Sequence, residues 1–333
     1  MLWMVRIIGT HSANSLVGVR PSSALGVLYG APGFAPAAPQ WIHVTPRFTQ
    51  LLENLKITEA QQIDGETKHA GIRACLNRYY YGHGSETANS LLMGSWGKLT
   101  RVRPSRDVDL IFLLPEHVYH RFQLRSGNKQ SQLLQEIKGV LSATYSQTTM
   151  RGDSQVVVVP FSSMPVEVSP GFVCNDGSII VCDANDGGRY ITSTARAEAA
   201  ALDFIDTATN GNARRLARMA KQWQRHCDVP LKSFQLERLA CEFLATYRYA
   251  QESVFYHDWM VRDFFISLLA RANTYLIMPG TGERIWLGND WLSRAQSAVR
   301  NASFACDYER VNNNYIAGLY WQDVFGQMIP GIA

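Results

Sequence analysis

The sequence predicts an α+β protein, with a mixed α/β lobe followed by an α-helical lobe and a cleft between them. Three observations carry that expectation. Short apolar strand patterns, as in "DVDLIFLLP", "SQVVVVPF" and "MPVEVSP", all lie before residue 190. After residue 190 the apolar spacing turns helical almost to the end. Of the 333 residues, 46% are hydrophobic and 18% charged, enough for one large or two modest domains with a real core.

The elements follow in order. "TPRFTQLLENL" opens with a cap at Thr45 and Pro46 in the first turn, so a helix starts there. A second helix covers residues 66–81 and stops near Gly82 and Gly84. "SLLMGSWG" reads as a short strand turning at Gly94, "DVDLIFLLP" as a buried strand stopped by Pro115, and "QSQLLQEIKGVLSATY" as a helix. "SQVVVVPF" and "MPVEVSP" form a strand pair around a short turn. Helices are then expected over 195–208, 211–227, 233–249, 256–272, 289–305 and 313–325. No internal repeat is visible.

Residues 1–40 are rich in Ala, Pro, Gly and Ser, with Arg6 and Arg20 their only charged side chains. They have neither helical nor strand periodicity and match a signal peptide poorly. The reading is a disordered leader or translated upstream sequence, with the fold starting near Trp41. The division expected is therefore a leader at 1–40, a catalytic lobe at 41–190 and a helical lobe at 191–330.

Net charge is +4, which suits an anionic ligand but lacks the concentrated basic stripe of a nucleic-acid binder. The six cysteines contain no C-x-x-C pair, which excludes a zinc ribbon and a small secreted disulfide framework. They read as reduced thiols of a cytoplasmic protein. No run of 18 apolar residues suggests a membrane span.

Asp107 and Asp109 stand at the mouth of an apolar strand. Side chains at i and i+2 share a strand face, so the two carboxylates project together while Val108 and Leu110 face the core. Desolvating a carboxylate pair is costly unless something binds it. Two oxygen-donor groups on one face suit magnesium or manganese, which bridge substrate phosphates. Two such ions, roughly 3.5–4 Å apart, clamp the attacking and leaving oxygens of a phosphoryl displacement. Upstream, Gly94 lets backbone approach a ligand closely, and the Ser95 hydroxyl suits a phosphate oxygen. A bare D-x-D would more often be a solvated strand edge; the Gly-Ser turn 12 residues before it makes the difference.

"GSWGKLTRVRPSRDVDLIFLL" resembles the nucleotidyltransferase signature of the polymerase-β superfamily, and its "GKLTRVRPSRDVD" flavour resembles the bacterial cGAS/DncV-like nucleotidyltransferases. "VEVSPGF", "DANDGGRYITSTARAEA", "LARMAKQW", "PLKSFQLERLACEFL" and "YWQDVFGQMIP" extend the resemblance in order over residues 45–330. It implies a polymerase-β-like core with a mixed sheet, a helical lobe closing over the nucleotide, and two Mg²⁺ or Mn²⁺ ions. Asp107 and Asp109 would be the first two metal ligands. The third, commonly Asp in the superfamily, would be Glu167, alternating with Val166 and Val168 on an apolar strand. Asp153 in "RGDS" is the rival. A salt-bridged strand residue is the bland reading of Glu167.

On "ARRLARMAKQWQRH", Arg214, Arg218, Lys221 and Arg225 follow steps of four, three and four and make a basic face beside an apolar stripe. Alone that is a solvated face. The resemblance implies that Lys221, with Ser233 at the start of the next helix, binds the donor's triphosphate; Ser233 would otherwise be a helix cap. Tyr190, read in a Gly-rich loop, is a base contact by position. His226 and His257 read as ordinary partly buried residues.

The implied activity is a metal-dependent synthase that joins nucleoside triphosphates into a cyclic di- or trinucleotide, with pyrophosphate released. Its setting would be bacterial antiphage signalling, with an effector reading the product and a regulatory protein as a further partner. The rival readings are a superfamily transferase acting on RNA ends or a small-molecule acceptor, and an inactive nucleotide-binding scaffold. An RNA-end enzyme calls for a broader basic surface, and a scaffold does not need two aspartates. No membrane contact and no extended nucleic-acid surface are expected.

Overall fold

A computed structural model describes residues 40–333. The leader expected over 1–40 lies outside these residues, apart from Gln40. Helix α1 (Val44–Leu55) buries Val44, Phe48, Leu51, Leu52 and Leu55 along one face. Helix α2 (Glu59–Tyr81) begins seven residues before the expected start. Its cap is a reciprocal box: Thr58 Oγ1 accepts from the Gln61 N–H at 3.2 Å, and Gln61 Oε1 from the Thr58 N–H at 3.0 Å. Gly65, which argues for a break in sequence, stays helical because the Trp96 ring lies against it. A Cβ there would fall 2.3 Å from the ring.

Strand β1 (Ser90–Met93) leads through the single turn α3 (Gly94–Gly97) to β2 (Val108–Leu113). Helix α4 (Glu116–Gln123), which the sequence reading passed over, precedes α5 (Lys129–Thr144). Then come β3 (Arg151–Asp153), β4 (Val156–Val159) and β5 (Val166–Val173). The Gly-rich stretch around Tyr190, read as a loop, carries β7 (Arg189–Thr192), which pairs with the preceding β6 (Ile179–Asp183). The strands form one mixed sheet in the order β1-β2-β5-β4-β3, with β6 joining β5 and β7 joining β6. Only β2 and β5 pair in parallel; the rest are antiparallel, including the expected β4–β5 pair.

The helical part comprises α6 (Ala195–Ala208), α7 (Asn212–His226), α8 (Ser233–Leu244), α9 (His257–Leu269), α10 (Leu292–Arg310) and α11 (Asn314–Phe325). Helix α8 stops at Leu244 rather than 249, and a small ribbon of β8 (Tyr275–Ile277) and β9 (Arg284–Trp286) interrupts the helices.

Two main cores form. One packs Val108, Leu110, Phe112, Val166 and Val168 of the sheet against Ile72 and Leu76 of α2 and Leu133, Ile137 and Leu141 of α5. The other gathers Trp223, Phe264, Phe265, Trp291 and Trp321 of the helical part, and α1 belongs to it. Helix α1, though it comes first in the chain, turns its apolar face and buried Arg47 toward the helices. Arg47 Nε donates to Glu309 Oε1 at 2.7 Å, and its remaining N–H groups reach Pro330 O at 2.5 Å and Asn314 O at 2.9 Å. Each fully buried Leu or Phe stabilises these cores by about 1.5–3 kcal/mol.

Candidate active site

Register places the carboxylates. Asp109 sits second on β2 and pairs with Met93 of β1 on one side and Glu167 of β5 on the other. Side chains of residues paired in register share a sheet face, so Asp109 and Glu167 are neighbours, with Asp107 one step before the strand. Val108 and Leu110 point the opposite way and are fully buried. The chain enters this corner through Gly94, at φ +57°. A Cβ on Gly94 would fall 1.9 Å from Asp109 Oδ2, so glycine is what lets the turn pass beside the carboxylate.

Gly94, Ser95, Asp107, Asp109, Lys221 and Ser233 line one cleft of ≈ 280 Å³. Six of the expected site residues are thus brought together from β1–β2, α7 and α8. Ser233 is the first residue of α8, exposed, with its hydroxyl donating to Gln224 Oε1 at 3.2 Å. Glu167 is beside Asp109 in register but is not part of the cleft lining. Asp153 lies on edge strand β3, with β4 between it and β5. Tyr190 is on β7 rather than in a loop, and packs against Tyr119 and Phe172 with ring centroids 5.4 and 5.8 Å away. It lies outside the cleft lining. His226 is exposed, and His257 is wholly buried, its Nε2 3.0 Å from Asn212 Oδ1.

Burial, then the charges of Asp107 and Glu167, push the Asp109 carboxyl up to about 7, against the opposing Lys98 and Lys221. Burial raises Asp107 as well, with Arg106 and Lys221 opposing. Both shifts come first from burial, which the nearby cations offset only in part. A hard cation would offset the remainder, and three carboxylates are the right donors. Among the described residues, however, no three His, Cys, Asp or Glu side chains are gathered closely enough to form a ready metal cage. The donor chemistry fits a divalent ion; ligation by all three requires their side chains to converge.

The basic face of α7 is neither solvated nor free. Arg214 Nε, Arg218 Nη2, Lys221 Nζ and Arg225 Nη1 donate to the carbonyls of Lys98, Leu99, Thr100 and Arg103 at 3.0, 2.8, 3.1 and 2.8 Å. This ladder fastens the segment that carries Asp107 into the cleft. Lys221 also donates to Thr100 Oγ1 at 2.9 Å and pairs with Glu237 Oε1. Lys98 Nζ takes Glu237 Oε2 at 2.5 Å and Glu198 Oε2 at 2.8 Å. Burial alone would raise the Glu237 carboxyl, but the two lysines outweigh it and hold it below the usual range. The Nζ of Lys221 thus pairs with Thr100 and Glu237 while its side chain lines the cleft.

Residues 42–204 match the family model of the Second Messenger Oligonucleotide or Dinucleotide Synthetase domain. That stretch of the chain is a domain of this family. No curated protein matches this nucleotidyltransferase. Among solved structures it is similar to Vibrio cholerae DncV cyclic AMP-GMP synthase in complex with the linear intermediate 5' pppA(3',5')pG, at 12% identity and TM-score 0.66, covering 86% of this chain and 97% of that one. It is similar to CdnC of E. coli MS115-1 in a CdnC:HORMA-deltaN complex, at 14% identity and TM-score 0.61, covering 87% and 98%. The STING-associated CdnE c-di-GMP synthase of Capnocytophaga granulosa matches at 10% identity and TM-score 0.60, over 80% and 86%. At these identities the likeness is one of fold, the polymerase-β-like architecture. In this nucleotidyltransferase the sequence reading missed Lys98, Thr100, Arg106 and Glu237, which also line the cleft. Only the four-three-four stripe on α7 pointed toward it.

Proposed function

We propose that this nucleotidyltransferase joins nucleoside triphosphates into a cyclic di- or trinucleotide, releasing pyrophosphate and using two Mg²⁺ or Mn²⁺ ions. The observation that carries the reading is the Gly94 turn beside Asp109, with Asp107 and Glu167 adjacent, opening onto a cleft backed by α7 and α8. The family match and the cyclic-dinucleotide synthases of similar fold support it.

Asp107, Asp109 and Glu167 would hold the ions, which when bound neutralise phosphate charge and acidify the attacking ribose hydroxyl. Gly94 keeps the approach to Asp109 open, and Ser95 and Ser233 offer hydroxyl donors to phosphate oxygens. The Arg214–Arg225 ladder keeps Asp107 in register with Asp109 while substrates change. A ribose hydroxyl attacks an α-phosphorus as the bond to pyrophosphate breaks; the linear product then turns in the same cleft so that its free hydroxyl meets the remaining triphosphate. The setting is cytoplasmic bacterial antiphage signalling, in which an effector binds the product. The CdnC:HORMA-deltaN complex of a fold neighbour supports a regulatory partner.

The test is to incubate the purified protein with four α-labelled triphosphates, with magnesium or with a chelator. A phosphatase-resistant product formed only with metal, and absent for Asp107→Asn, supports the reading. Metal-independent turnover, or equal turnover by the variant, refutes it.

A further inference from the structure

Away from the catalytic cleft, the described residues enclose a second cavity, of ≈ 540 Å³ against ≈ 280 Å³ for the cleft. It lies at the other end of the same two strands. Asp109 and Glu167 pair near the amino ends of β2 and β5, whereas Leu113, paired with Gly171 at the carboxyl ends, lines the cavity. Four residues of strand separate Asp109 from Leu113, about 13 Å. An occupant of the cavity therefore stands clear of the carboxylates. In sheets of this kind, the carboxyl ends of parallel strands are where ligand crevices form.

Three rings from three elements wall it: Tyr81 of α2, Tyr119 of α4 and Phe172 of β5. Tyr119 and Phe172 meet edge to face with centroids 5.3 Å apart. Tyr81 is pinned by its hydroxyl, which donates to Leu113 O at 2.8 Å. Such walls favour an aromatic guest through stacking and edge contacts. The Tyr119 hydroxyl and the Asn175 amide also line the cavity, and neither makes a side-chain hydrogen bond among the described residues. Charge narrows the guest further. Lys98, Arg106, Lys221 and Arg225 line the catalytic cleft, whereas no Lys or Arg lines this cavity. Its one carboxylate, on Glu116, lies 3.1 Å from His120 Nε2, and both side chains are exposed at the rim. A phosphate or carboxylate would lose its water here without gaining a countercharge. An aromatic cavity of this size with a few polar groups is the usual form of a small-molecule site.

We propose that this cavity binds an uncharged aromatic heterocycle, its rings against Tyr81, Tyr119 and Phe172 and its polar edge toward the Tyr119 hydroxyl and Asn175. The site is separate from the nucleotide cleft and takes a different class of ligand. Cys174 lines the same cavity and is half-buried, while Cys75, Cys182, Cys241 and Cys306 are buried. Burial pushes the Cys227 thiol up to about 11, which slows its reaction. Cys174 is thus the thiol placed to report whether the cavity is filled.

The test alkylates the whole protein with iodoacetamide and follows the Cys174 peptide by mass, with and without three uncharged probes: indole, quinazolinone and caffeine. At millimolar concentration at least one probe should slow Cys174 labelling about threefold or more and leave Cys227 labelling unchanged. Indole carboxylate, the charged match of indole, should give no protection. Tyr119→Ala, at a half-buried position, should remove most of the protection, and Tyr119→Phe, which keeps the ring, should retain most of it. Rates with and without probe are compared within each variant, which cancels any change in thiol reactivity. The proposal is overturned if no probe protects the wild-type protein, if Cys227 is slowed equally, or if Tyr119→Ala keeps full protection. Protection by indole carboxylate equal to that by indole would overturn it as well. No step requires turnover, so the result stands or falls apart from the proposed synthase activity.

Discussion

Gly94 and Asp109 occupy adjoining space that only a residue without a side chain leaves open: a Cβ on Gly94 would lie 1.9 Å from Asp109 Oδ2 and 2.9 Å from its Cγ. The left-handed φ of +57° at Gly94 adds about 1–2 kcal/mol of strain for any L side chain. Gly94→Ala should therefore displace the carboxylate and lower turnover about a hundredfold or more, the scale expected of a 1 Å misplacement. Melting temperature should fall by only a few degrees. Turnover within twofold of wild type would show that the position of Asp109 does not matter.

Asp109→Asn should abolish synthesis and, without metal, raise stability at pH 8. The sign follows from the carboxyl's rise from 3.8 to about 7 in the folded protein, caused by burial and then by Asp107 and Glu167. A raised acid is neutral in the fold at pH values where it is ionised in the unfolded chain. Stability from this group is therefore full below about pH 4 and lost as pH rises through 7. The Asn variant should melt higher than wild type at pH 8, with the gain vanishing toward pH 4. Magnesium should raise the wild-type melting temperature more than that of the variant.

His257 gives the opposite slope. Burial, with Arg215 as a lesser cause, lowers its imidazole to about 3, and Asn212 Oδ1 lies 3.0 Å from Nε2. A lowered base contributes stability above the unfolded value of 6.5 and loses it as pH falls through the folded value. Between pH 6 and 4 this residue should cost up to about 1.4 kcal/mol per pH unit, measured as urea midpoints against pH. A His257→Gln variant with the same slope as wild type would contradict this.

Arg47 and Glu309 are both fully buried and paired at 2.7 Å, tying α1 to α10. Arg47→Met leaves Glu309 without its countercharge and the Pro330 and Asn314 carbonyls without a donor. The expected loss is about 3–5 kcal/mol in urea denaturation, the scale for breaking one side of a buried pair. A loss below 1 kcal/mol would show that this pair does not hold α1 in place.

The parts of the fold written in local pattern were legible. Helix α6 runs over the expected residues, and the Gly94-Ser95 turn and the Asp107/Asp109 pair land in one cleft as their spacing implies. The start of α2 was hidden by Gly65, although the Thr58/Gln61 capping box was there to be read. Gly187 and Gly188 made β7 look like part of a loop, because turn and strand share the same short stretch. What sequence could not show was the partner of each charge. The stripe on α7 was visible, but the carbonyls it binds lie 116–122 residues away in the chain. Glu237 looks like any charged residue of an amphipathic helix until α8 sets it against Lys98 and Lys221. Nor could it show that Tyr190, read in a loop, stands on a strand and packs against Tyr119 and Phe172.

The central claim is that ring closure happens in this cleft, and the stoichiometry of pyrophosphate tests it most directly. Each nucleotide that enters a closed ring loses its β- and γ-phosphates as one pyrophosphate and keeps only its α-phosphate, as a diester. A linear product keeps its 5′ triphosphate, so its count falls one short per molecule. Pyrophosphate released per nucleotide incorporated, measured together with the mass of the phosphatase-treated product, should reach one to one with a cyclic mass. A ratio near one half, with a linear dinucleotide as the end product, would contradict the account.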